Sequence, residues 1–200
     1  MAKLERIEMY IKDEQEDGVF AVSLVESPAI EENFIALSKH KIDLKVVDEE
    51  RRIVVGFALV PEKEIYRKMK INGEDKEFNI YFSKETVAKT AHLYMKNLNQ
   101  ANVTAEHEKP VTDCTVVETW MVEDKDNDKS NIWKLGAQGG EWVIMMKIDN
   151  EEEWNDIKEG KKLGFSIEGA FQGFEQLASK QPTDEEIINQ IKNIITGNEG

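Results

Sequence analysis

An α+β fold, with a mostly antiparallel β-barrel core and flanking helices, is what this 200-residue sequence predicts. Two observations carry that prediction. Several short runs are apolar on both faces of a strand, which an open sheet with one solvated face does not require. Between and after them lie segments whose apolar residues recur at helical spacing. The strands expected to close the barrel are 53–60, 77–82, 115–122, 142–148 and 163–171. The length suits one domain with a sizeable core. The expected organisation is a β-barrel domain over 1–174, a linker over 175–182 and a C-terminal amphipathic helix over 183–200.

In chain order, residues 6–11 read as a first short strand, and an acidic turn over 13–18 leads into the β-rich run 19–25. Pro28 breaks that run, and an irregular or briefly helical stretch follows to Ser38. His40 sits in a polar KHK turn and is expected in solvent. Residues 52–60 (RIVVGFALV) are apolar on both faces, with Gly56 suggesting a bulge or tight bend and Pro61 ending the strand. Residues 77–82 alternate as a strand, and Ser83 then caps a helix to about Leu98. Val87, Ala91, Tyr94, Met95 and Leu98 form its expected buried stripe, with His92 at the boundary.

A short strand over 102–106 delivers His107 into the turn EHEKP. In the strand 115–122, strict alternation puts Val116, Glu118, Trp120 and Val122 on one face. A carboxylate in an apolar face needs a partner, unless that face is an exposed edge. The polar stretch 124–140 is long enough for a functional loop, but it lacks the spacing of a calcium-binding loop. Residues 141–148 are another buried strand, and Asn150 or Asp149 caps a short helix through Lys158 that Gly160 closes. The strand LGFSIEGAF follows, with Ser166 and Glu168 on one face and Phe165 and Ile167 on the other. Beyond the polar segment after Phe174, Thr183 and Glu186 make a capping box for a helix striped by Ile187, Ile188, Ile191, Ile194 and Ile195.

The net charge of −14 argues against a nucleic-acid binder, which needs a basic footprint. The lone Cys114 excludes an internal disulfide and fits a reducing compartment. No run approaches the roughly 18 apolar residues of a membrane helix, and the charged N-terminus does not read as a signal peptide. The expectation is a cytoplasmic protein that binds neither nucleic acid nor membrane.

One set of side chains is coherent enough to carry chemistry: Ser166, His107 and Glu118. Serine hydrolysis needs a nucleophile, a base and a group that orients the base. His107 beside Glu118 would supply the partner that a buried carboxylate demands. Backbone N–H groups of the glycine-rich loop 136–140 are the candidate oxyanion hole. Glu168 stands where the second glycine of a G-x-S-x-G elbow would be, so the hydrolase elbow is absent. A competing metal reading groups His107 with Glu106, Glu108, Asp113 and Cys114, but neither H-E-x-x-H nor paired C-x-x-C spacing is present. A structural reading leaves His107 a turn residue, Glu118 a rim carboxylate and Ser166 an ordinary strand serine. No cofactor is expected.

Several stretches together resemble the XkdF-like serine proteases of tailed bacteriophages, prohead proteases related in fold to the herpesvirus assemblins. They are VSLVESPAI, GFALVPEKEIYR, the FSKETV helix start, the EH at 106–107, VVETWMVE, GEWVIMMKI with a downstream W-x-x-I-K-x-G, and GFSIEGAF, spanning roughly residues 18–174. The resemblance implies a barrel-like core and a serine endopeptidase that cleaves scaffold and major capsid proteins during head maturation, and itself. It places the protein inside the assembling procapsid in the host cytoplasm. His107 and Ser166 match the family's histidine and serine, with Glu118 the preferred third member over His40 or His92. The terminal helix lies outside the resemblance and is expected to dock on its own domain, on scaffold or on a second copy of the protease. The rival expectation is a non-catalytic head-assembly protein that keeps the protease fold to bind scaffold.

Overall fold

Over the residues described, 4–26, 44–71 and 74–178, the computed structural model contains eleven strands in three sheets, with helices packed around them. In chain order these are β1 (Glu5–Met9), β2 (Gly18–Val25), β3 (Lys45–Asp48), β4 (Ile53–Leu59), β5 (Ile65–Ile71), β6 (Glu74–Phe82), helix α1 (Lys84–Lys96), β7 (Val103–Ala105), β8 (Lys109–Val111), β9 (Cys114–Met121), β10 (Trp142–Ile148), α2 (Glu151–Lys158), β11 (Gly164–Ala170) and the single turn α3 (Glu175–Ala178). The sheets run β1-β6-β5, β3-β4-β10-β9 and β11-β2-β7-β8. Pairing is antiparallel except for β1 with β6 and β2 with β7.

The α+β class is as expected, but the closed barrel is not. The five strands expected to close one barrel are divided among all three sheets. The two-sided apolar pattern that suggested closure has a different cause. In β10, Trp142, Ile144, Met146 and Ile148 join the main core, while Val143 and Met145 face a second, smaller core. In β4, Val54 and Ala58 belong to the first and Val55 and Phe57 to the second. The second core is roofed by the loop after β9, through Val122, Leu135 and Ala137, with Trp133 from a 3₁₀ turn over Lys129–Trp133. A loop has thus covered the face that barrel closure was invoked to cover.

Helix α1 begins at Ser83, whose hydroxyl accepts the Thr86 N–H, and α2 at Asn150, whose side chain accepts from Glu153 N–H. The buried face of α1 is Thr86, Val87, Thr90, Ala91, Leu93 and Tyr94. It is rotated from the expected stripe, so His92, Met95 and Leu98 are exposed. Gly56 marks no bulge, since the register shift lies nearer Ala58. Its missing side chain instead leaves room for the Phe165 ring, which would lie 3.1 Å from an added Cβ. The turn α3 falls at the start of the expected linker, yet it docks: Leu177 is buried in the main core. His40, the rest of that linker and the predicted terminal helix lie outside the described residues.

Candidate active site

Strand β11 is an edge strand paired antiparallel to β2, and Ser166 lies directly opposite Ser23. Phe165 is buried on the core side, so alternation turns Ser166 and Glu168 to the other face. On β2, the small residues Ala21 and Ser23 share that face, opposite Glu168 and Ser166 respectively. On β7, Thr104 lies opposite Ser23. The Glu168 side chain passes over this low surface and accepts a hydrogen bond from the Thr104 hydroxyl.

His107 reaches the same place from the β7–β8 turn. Glu106 and His107 both have positive φ, 51° and 62°, a conformation that glycine or asparagine normally supplies. The turn is pinned in spite of that strain. Glu106 N–H donates to Leu24 O at 3.1 Å and His107 N–H to the Ser23 hydroxyl at 3.0 Å. The Glu106 carboxylate accepts from the ammonium of Lys162, a buried residue just before β11, and from Glu26 N–H at 2.9 Å. With its backbone fixed, the imidazole sets Nδ1 3.1 Å from Glu168 Oε1.

This pairing defines the chemistry available. A carboxylate accepts from Nδ1–H, so Nε2 is left unprotonated and able to take a proton. The Ser166 hydroxyl makes no hydrogen bond among the described residues, and Ser166 lies two positions from Glu168 on the same face. The strand repeat separates such side chains by about 7 Å, a gap that one imidazole with a partner at each nitrogen bridges. Ser23, which holds the His107 backbone, is the cross-strand neighbour of Ser166, at a usual Cβ separation of about 5 Å.

Two expectations about the site are corrected. Glu118 is not the partner of His107. It lies on β9 in a different sheet, has 46% side-chain exposure and forms an ion pair with Lys129. The reason is a β-bulge at Val117: Met145 pairs with Glu118 and Met146 with Val116, so Val117 has no partner. Val116 then faces the main core, and Glu118 turns to the side of Trp120. The carboxylate never enters the apolar face that strict alternation assigned to it. Three of the loop donors proposed for the oxyanion are also occupied. Gln138 N–H and Gly139 N–H bind the buried Glu141 carboxylate at 2.6 and 2.7 Å, and Gly140 N–H binds Val122 O at 2.7 Å. Cys114 is buried in the main core, and burial pushes its thiol up to about 12, which removes it as a nucleophile at neutral pH.

Glu168, Thr104 and Ser23 were missed as site residues. The signal for Glu168 was its placement two residues after Ser166; for the other two, the sequence alone gives none.

A family described as "Putative phage serine protease XkdF" matches residues 41–175 of the chain, which include His107, Glu168 and Ser166. A curated relative, "Uncharacterized protein YqbD" of Bacillus subtilis (strain 168), is 23% identical over 98% of this chain. The chain spans only 54% of that relative's length. No solved structure matches.

Proposed function

The chain belongs to the XkdF family of phage serine proteases, and we propose that it is a serine endopeptidase built on Ser166, His107 and Glu168. The observation that carries this reading is the 3.1 Å contact between His107 Nδ1 and Glu168, with Ser166 on the same strand face. Ser166 Oγ attacks the scissile carbonyl while His107 Nε2 takes its proton. The tetrahedral intermediate collapses as the imidazolium returns that proton to the leaving amine. Water, deprotonated by the same nitrogen, then hydrolyses the acyl-enzyme and restores the serine. Glu168 touches neither bond; it fixes the tautomer and balances the imidazolium charge.

The biological substrates are proposed by kinship: scaffold and major capsid proteins cut during head maturation, with self-cleavage, inside the procapsid in the host cytoplasm. The relative's additional length contributes nothing to this proposal. The test is co-expression with the cognate scaffold and capsid proteins, comparing the native chain with Ser166→Ala. Processed fragments that vanish in the variant support the endopeptidase. Fragments that persist, or that never form while the chain still co-purifies with scaffold, favour a non-catalytic head-assembly protein.

A further inference from the structure

Glu168 holds its carboxylate across a whole strand. It stands on β11, its two partners come from β7 and the turn after it, and β2 lies between. A glutamate stem has several rotatable bonds, and fixing them costs rotamer freedom that one hydrogen bond to a partly exposed imidazole hardly offsets. The geometry supplies a second tether. Glu168 Oε1, the oxygen that meets His107 Nδ1 at 3.1 Å, also accepts from the Thr104 hydroxyl. An ionised carboxylate only accepts, so the threonine is the donor. Thr104 is rigidly placed for this. Val103 before it is buried in the main core, and β7 is paired on both sides, with Ser23 opposite Thr104 on β2 and Pro110 opposite it on β8. Branching at its Cβ restricts the side chain further. The sheet thus sets the donor, whereas the acceptor is the freer group.

We propose that Thr104 is a positioning residue of the active site: its hydrogen bond keeps the Glu168 carboxylate on His107 Nδ1, and so keeps Nε2 available to Ser166. Thr104 touches neither the substrate nor the reacting atoms. Without its hydroxyl, Glu168 is free to leave the imidazole for water, and the ring loses its orientation and its tautomer. The inference rests on the reading of Ser166 as nucleophile and His107 as its base.

The first readout is the rate at which a fluorophosphonate–rhodamine probe labels Ser166 in the full chain, mapped by mass spectrometry with Ser166→Ala as the blank. Thr104→Val keeps the β-branched shape and removes only the hydroxyl. It should slow labelling about tenfold, as loss of a hydrogen bond to a charged group implies. Thr104→Ser should restore the native rate. In a Glu168→Ala background, Thr104→Val should alter the rate by less than about twofold, because it acts through Glu168 alone. A merely structural role would cost as much with Glu168 as without it. Should Thr104→Val fail to fold by circular dichroism, Thr104→Ala against Thr104→Ser makes the same comparison. The second readout does not depend on the serine. In chain labelled with ¹⁵N-histidine, the His107 Nδ1–H, identified by its loss in His107→Gln, should give a resolved low-field proton resonance. That resonance should vanish into solvent exchange in Thr104→Val and survive in Thr104→Ser. A native labelling rate in Thr104→Val, or an equal loss in the Glu168→Ala background, overturns the inference and leaves the protease. If the native chain is not labelled at all, the nucleophile reading falls and the resonance decides the role of Thr104. Absent from the native chain, or retained in Thr104→Val, it overturns this inference too.

Discussion

At the scale of the residue, two carboxylates compete for one role, and their surroundings separate them. Glu168 holds His107 Nδ1, whereas Glu118 is tied to Lys129 on another sheet. Glu168→Gln should therefore lower kcat by a factor on the order of 10² to 10⁴, because an amide that donates to Nδ1 imposes the wrong tautomer. Glu118→Gln should leave kcat unchanged. Steady-state hydrolysis of a fluorogenic peptide measures both, and a large loss in Glu118→Gln would undo the assignment. His107 offers a different contrast. Its φ of 62° is strained for a side-chain-bearing residue, and its backbone N–H bond to Ser23 does not need the imidazole. His107→Gly should abolish cleavage yet raise stability by about 1 kcal/mol in urea unfolding. A destabilised His107→Gly would mean that the imidazole contacts outweigh the backbone strain.

Among the elements, β11 and β9 show what alternation can and cannot reveal. In β11 the pattern of GFSIEGA gave the correct faces, because β11 pairs in regular register with β2 as far as Glu168. Ser166 and Glu168 were therefore legible as neighbours; the acid was sought at Glu118 because a carboxylate in an apolar strand face demands a partner. In β9 the same reasoning misplaced Glu118, since a one-residue bulge at Val117 reverses every later face and leaves no mark in composition. His107 was legible as a turn residue beside a short strand, but its tethering by Glu106 and Lys162 depends on contacts 56 positions apart in sequence. The end of β11 also makes a demand that only packing reveals. A Cβ on Gly169 would stand 2.4 Å from Gly18 O across the β2 pairing. Gly169→Ala should destabilise the protein by roughly 2–3 kcal/mol and reduce activity by displacing Glu168. Thermal unfolding paired with peptide hydrolysis tests this, and a stable, fully active variant would show that the strand yields at no expense.

In the whole molecule, three sheets share one main core, and the segment after β11 ties the first sheet to the third. The barrel was not legible because two-sided burial has more than one cause, and a covering loop leaves the same pattern in sequence as closure does. One tie is the buried Asp17, which accepts from Lys12 N–H at 2.8 Å, Asp13 N–H at 2.9 Å and the Gln172 amide at 2.8 Å. Burial by itself raises its carboxyl, but these donors outweigh burial and hold it below the usual aspartate range. A carboxyl depressed by folding stabilises above its unfolded pKa and loses that contribution as pH falls through the folded one. Asp17→Asn should thus cost on the order of 2 kcal/mol at neutral pH, with the gap to the native chain narrowing only below about pH 4.

The other tie is the stretch from Tyr10 and Gln172 onward, and it sets where the domain ends. Tyr10 and Gln172 exchange backbone bonds of 3.0 and 2.9 Å. Phe174 packs edge-on against Phe78 with ring centroids 6.1 Å apart. Glu175 accepts from the Tyr10 hydroxyl and from Gly173 N–H. Leu177 is 4% exposed, and its carbonyl accepts from Lys76 Nζ at 3.3 Å. A boundary drawn after Phe174 would therefore cut through packed structure, whereas one drawn after Ala178 keeps every contact named here. A chain ending at Ala178 should unfold in urea at the midpoint of the full chain and label Ser166 equally well with fluorophosphonate. A chain ending at Gly173 should lose about 3–5 kcal/mol, the usual consequence of removing a buried leucine and an aromatic partner. If the chain ending at Ala178 is itself unfolded, the residues beyond it belong to the core, and the domain boundary moves with them.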